Sequence, residues 1–184
     1  MYPINHIYFL MKFLTKLILS LLQLMFINFN SVNAQNMDSI YPEQVGNIKF
    51  DPKIDDINFK ICNSESIFQY YNFSKGFQYK GEKFEILKKW EEIKSLNVEK
   101  KGLTGYITIR FLVNCEGNTG LFRVQQMDEN YKPISFDNGI KELLLNFVKS
   151  LNGWIIAIDN NVKVNYYQYL TFLIKDGIVK EILP

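Results

Sequence analysis

Few side chains in this sequence could do chemistry. There is one histidine, His6, and it lies in the N-terminal stretch read below as removable. Without a histidine in the mature chain, no Ser-His-Asp or Cys-His pair can be assembled, nor a histidine-ligated zinc site. Neighbouring carboxylates occur at Asp55-Asp56 and Glu91-Glu92, the candidates for an enzyme working on carboxylates alone. Glu91 and Glu92 fall in a stretch of helical period, where adjacent residues do not face each other, so they read as a solvated face. Gly117 and Gly120 could open a phosphate loop. No Lys-Ser/Thr follows them, however, and the next element reads as a strand, which offers an anion no helix N-terminus. No catalytic residue, cofactor or metal ligand is assigned.

The two cysteines, Cys62 and Cys115, carry more. In an oxidising compartment an even count reads as a disulfide, and this is the one intramolecular pairing available. Closing a loop of roughly 50 residues stabilises by about 4 kcal/mol in the chain-entropy model. A reactive thiol is the alternative, but neither cysteine has a CxxC partner or a histidine to activate it.

The compartment is read from the N-terminus. Lys12 and Lys16 precede a mostly apolar stretch from Leu17 to Ile27, and Val32-Asn33-Ala34 supplies permissive residues for cleavage. Residues 1–34 thus read as a signal peptide, cleaved after Ala34, with Met11 a second candidate start and residues 1–10 a misplaced one. The competing reading is an uncleaved inner-membrane anchor. The apolar stretch is about half of the roughly 20 residues a spanning helix needs, and Ser20 and Gln23 interrupt it. A periplasmic protein is expected, with membrane contact only if the N-terminal segment is retained.

Of 184 residues, 21 are Lys or Arg and 19 are Asp or Glu. The surplus is Lys12 and Lys16, so residues 35–184 are neutral. That excludes the basic footprint of a nucleic-acid binder and the case for an anionic membrane surface.

The elements that must position these residues follow from period and punctuation. Residues 35–81 read as an N-terminal extension of loops with a short strand where Ile57, Phe59 and Ile61 alternate with polar residues. Aromatics then crowd from Phe68 to Tyr79, either filling a β-rich layer or offering a sugar-stacking surface. Phe84, Leu87, Trp90 and Ile93 mark an amphipathic helix of about 15 residues, ending before Gly102. Ile107 to Val113 and Phe122 to Met127 form a hairpin around Asn114–Gly120. Asp137 caps a helix whose face is Ile140, Leu143, Leu144, Phe147, Val148 and Leu151, with Gly153 as its stop. A long period-two strand from Val162 to Ile174 is broken by Gln168 alone. Asp176-Gly177 then turns the chain into a last strand, Ile178 to Leu183. Phe111, Phe147, Trp154 and Phe172 are expected in the core. The class is α+β: two layers, helices packed on one face of a small antiparallel sheet, over residues 82–184.

Here the residues carry a resemblance. The run GYITIRFLVNCEG from Gly105 to Gly117 is similar to the G-x-v-x-v-x-F-x-V-x-x-x-G opening of TonB C-terminal domains. The helix ending in Leu151-Asn152-Gly153-Trp154 resembles that family's helix-then-Trp segment, and Val164 to Phe172 its closing strand. The resemblance implies a non-enzymatic periplasmic domain that binds an envelope protein, such as an outer-membrane receptor, by adding a peptide to its sheet edge. Val164, Tyr166, Tyr167, Tyr169 and Thr171 would form the partner-binding strand, and a homodimer by edge pairing would use the same edge. No Pro-rich spacer precedes the domain, so the expected function is protein binding without force transduction. A membrane-anchored transducer for outer-membrane transport is the alternative, and a glycan-binding envelope module the second. The strand after Asp176-Gly177 would cover the closing strand, so deleting residues 177–184 should raise self-association in light scattering or peptide binding in a binding assay.

Overall fold

The structure, a computed structural model, describes residue 9 and residues 11–18, 46–64, 66–73, 78–94 and 103–184. Two units are distinguished, Met1–Ile40 and Tyr41–Pro184. In the first, residues 11–18 are helical and exposed. The cleavage site at Ala34 and most of the apolar stretch lie outside the described residues. No described helix is long and apolar enough to cross a membrane.

The second unit is α+β. Its elements are β1 (Ile67–Gln69), a 3-10 turn (Tyr70–Phe73), α1 (Glu82–Ile93), β2 (Gly105–Val113), β3 (Thr119–Asp128), α2 (Asn138–Ser150), β4 (Ala157–Asp159), β5 (Val162–Lys175) and β6 (Ile178–Leu183). Helix, hairpin, helix and long strand therefore follow in the order read from the sequence. The sheet runs β1-β5-β2-β3, with β4 and β6 also on β5. It is mixed rather than wholly antiparallel, because β1 joins β5 in parallel while the other pairings are antiparallel.

Side-chain alternation gives the sheet two unlike faces. Ile107, Ile109, Phe111 and Val113 of β2 lie opposite Phe172, Leu170, Gln168 and Tyr166 of β5. All but the buried Gln168 form one core with Ile86 and Trp90 of α1 and Leu144, Phe147 and Val148 of α2. Asp137 caps α2 as its sequence implied: its carboxylate accepts from Gly139 N at 2.8 Å.

Three local expectations are corrected. Residues 57–62 form no strand. Asp56 accepts from Asn58 N at 2.8 Å and from Phe59 N at 3.0 Å, so the chain turns there, leaving Ile57 83% exposed. On α1 the buried residues are Ile86 and Trp90, while Phe84 is 74% exposed. A strict three-residue step drifts about 60° backwards each time, so Phe84 and Ile93 fall on opposite sides, and the face is 86, 90 and 93. Gly153 is no left-handed stop: a Cβ there would lie 2.6 Å from the Tyr79 ring. The glycine lets segment 78–80 pair against 153–155, with Lys80 N donating to Gly153 O at 2.8 Å and Ile155 N to Gln78 O at 3.0 Å.

Candidate interaction surface

The face of the sheet away from the helices carries Thr108, Arg110 and Leu112 of β2 opposite Thr171, Tyr169 and Tyr167 of β5. An irregular arm, residues 46–63, packs over the Leu112 and Tyr167 end of it. Beneath the arm a small second core forms from Ile48, Leu112, Leu121 and Tyr167, with Phe59, Ile61 and Ile67 against it. Phe59 reaches it because position 120 is glycine; a Cβ there would sit 2.4 Å from the ring.

Polar bonds hold the arm at both ends. Cys62 and Cys115 form the disulfide read from the sequence, Cα atoms 6.1 Å apart. Beside it the fully buried Asn165 donates to Asn63 O at 2.8 Å and accepts from Cys62 N at 3.2 Å. Asn114 donates to Lys60 O at 3.0 Å, while its Oδ1 accepts from Glu116 N and Asn118 N, both at 2.9 Å, shaping the hairpin turn. At the other end Ile48 N donates to the Tyr167 hydroxyl at 2.9 Å. Arg110 donates to Gly46 O at 2.8 Å, its guanidinium 4.2 Å from the Tyr167 ring centroid. Arg110 is buried, and burial pushes its pKa down from the ordinary value. Arg123 grips Asp55 with two nitrogens, at 2.8 and 2.7 Å. Burial raises the Asp55 carboxyl, but the Arg123 bond, the Asp51 N–H and the Arg123 charge outweigh it and hold it below its usual value.

The candidate residues thus divide. Asp55 is the anchor of an arginine clamp, Asp56 makes turn bonds, and Glu91 forms an exposed ion pair with Lys94 one turn on. No cluster of three or more His, Cys, Asp or Glu among the described residues could hold a metal ion. The crowded aromatics pack mostly inward: Phe68, Tyr70 and Phe73 lie against the main core and Tyr79 is within it, leaving Tyr71 exposed. Phe77 lies outside the described residues.

The expected partner strand is β5, and the structure places it inside the sheet. Val164, Tyr166 and Tyr167 are buried, Tyr169 and Thr171 half-buried. On one side β2 pairs with β5 from Tyr166 to Ile174. On the other, β1 takes 165–167 and β6 takes 171–175, so the last strand covers β5 as its sequence implied. In the gap between them the Gln168 amide donates to Tyr169 O at 3.0 Å, a side chain standing where a strand is missing.

β5 is thus an inner strand; the outer strands are β1, β4 and β6, each on β5, and at the opposite end β3, which pairs with β2 alone. Its far end is tied down: Gln126 O accepts from Ile134 N at 3.2 Å, and Asp128 N donates to Lys132 O at 2.9 Å. Those bonds show that even-numbered residues turn their backbone outward. Phe122 O accepts from the Arg123 side chain at 2.8 Å. Among the described residues, no backbone bond reaches the outward N–H and C=O of Val124. Along this edge runs a cleft of about 990 Å³, lined by Phe122, Val124, Pro133 and Leu145 and by the charges of Arg110, Arg123, Lys141, Glu142 and Lys149. Nothing in the sequence distinguished β3 from β5 as the edge, because strand order depends on which strands pair. A second element missed in the sequence, β4, had a signal in Asn160-Asn161, whose φ of 47° and 64° are those of a type I′ hairpin.

The chain matches no protein-family model, no curated protein and no solved structure.

Proposed function

We propose that this is an exported, periplasmic protein-interaction domain of the TonB C-terminal type, which holds an envelope protein by strand addition and performs no catalysis. The observation that carries the reading is the element order, helix, hairpin, helix and long strand around one core, in the order the resemblance implies. The Cys62–Cys115 disulfide is compatible with folding in an oxidising compartment. Strand addition draws its contacts from main-chain groups, so a domain working this way needs sheet edge and adjacent pockets rather than reactive side chains.

The test is fractionation of cells expressing the full chain, with non-reducing intact mass and in-cell crosslinking. A periplasmic species beginning at Gln35, lighter by two hydrogens and crosslinked to an envelope protein, is the expected result. A cytoplasmic species with free thiols would overturn export. A periplasmic species without an envelope adduct would overturn protein binding, and an uncleaved inner-membrane species would favour the anchored transducer.

A further inference from the structure

The geometry points to the outer edge of β3, between Phe122 and Gln126, as the strand-adding edge, and to an extended acidic peptide as its occupant. The inference rests on the protein-binding reading above and moves the contact away from β5, whose sides are taken by β1, β2 and β6. Two observations carry it. First, Val124 directs its N–H and C=O outward, and no described backbone group meets them. A peptide strand would exchange a pair of hydrogen bonds there.

Second, the cleft beside that edge is cationic on a chain whose residues 35–184 are neutral. Arg110, Arg123, Lys141 and Lys149 line it; Arg123 is paired with Asp55 and Lys141 with Glu142, so among the described residues four cations meet two carboxylates. Lys149 extends over the Phe122 ring, its Nζ 5.5 Å from the centroid. Alternate residues of an added strand would face α2, where Leu145 offers an apolar contact between Lys141 and Lys149. Alternating apolar and acidic residues suit that lining. A second copy of this chain pairing β3 to β3 would bring the same cations together, which disfavours self-pairing.

The test uses the full chain and two fluorescent octapeptides, alternating valine–glutamate and alternating valine–lysine, read by anisotropy. The glutamate peptide should bind and the lysine peptide should not. Val124→Pro removes the outward N–H without taking a donor from the β2–β3 ladder, which an edge strand tolerates. It should weaken binding at least about tenfold, one hydrogen bond with its neighbours misaligned. The double variant Lys141→Glu, Lys149→Glu lies on the helix and should reverse the preference in favour of the lysine peptide. It keeps the test intact if the proline variant does not fold. Equal binding of both peptides, no binding of either, or binding unchanged in folded Val124→Pro would overturn the inference. So would a dimer in light scattering that Val124→Pro dissolves, which would seat a second copy on the edge. If Val124→Pro keeps its crosslinked envelope partner in cells, the edge is wrong and the protein-binding reading stands; if the unaltered chain has no such partner, that reading falls.

Discussion

On the helix side of the sheet, Ile107, Ile109 and Phe111 meet Leu144, Phe147 and Trp90 in one apolar core. On the opposite side, Leu112 and Tyr167 lie under an arm with no regular structure, held by a disulfide, two buried asparagines and an arginine–aspartate clamp. Burial on the first side is non-directional and tolerates small shifts; the polar bonds on the second depend on individual atoms. The same strands therefore stabilise one layer by area and the other by position.

The two sides should respond differently to substitution. Phe111 is fully buried, with ring centroids 5.0 Å from Trp154 and 5.4 Å from Phe122. Phe111→Ala should cost about 3–5 kcal/mol and destabilise both layers together in chemical denaturation. A loss confined to the arm would show that the helix side is not the principal core.

Replacing Cys62 and Cys115 by serine should cost up to about 4 kcal/mol, mostly through the unfolded state. Its structural effect should be local. Near-ultraviolet dichroism should change through Tyr167 while far-ultraviolet dichroism persists, and loss of both would mean the arm is needed for the sheet to form.

The smallest effect expected is from Asp55→Asn, about 1–3 kcal/mol for one buried charged partner of Arg123. It carries a pH signature. The Asp55 carboxyl is held below its usual 3.8, so its contribution is complete above that value and fades as pH falls through the folded-state value. The unaltered protein should therefore lose more stability than Asp55→Asn between neutral pH and acid. Parallel pH curves would show that the clamp adds nothing.

How far the sequence revealed this follows the same division. The face of α2 was legible because six apolar residues recur at helical spacing and Asp137 caps it. The β2–β3 and β5–β6 hairpins were legible from alternation and from Asp176-Gly177, whose φ of 50° and 77° fit the tight turn. The disulfide was legible because two cysteines allow one pairing. The arm was not, since its bonds run from Asn114, Asn165, Arg110 and Arg123 to backbone or side chains more than 50 residues away in sequence, and no local period records them. For the same reason Ile57, Phe59 and Ile61 imitated a strand, when turns at Asp51 and Asp56 and a glycine at position 120 decide where they go. The choice between β3 and β5 as the open edge was equally non-local.

Amide hydrogen exchange with and without reductant tests the contrast between the faces most directly. On reduction, the amides of Ile48 and Cys62, which donate to Tyr167 and Asn165, should lose protection. Those of Ile107, Ile109 and Leu144 should keep it. Protection retained at Ile48 and Cys62, or lost at all five together, would contradict the account.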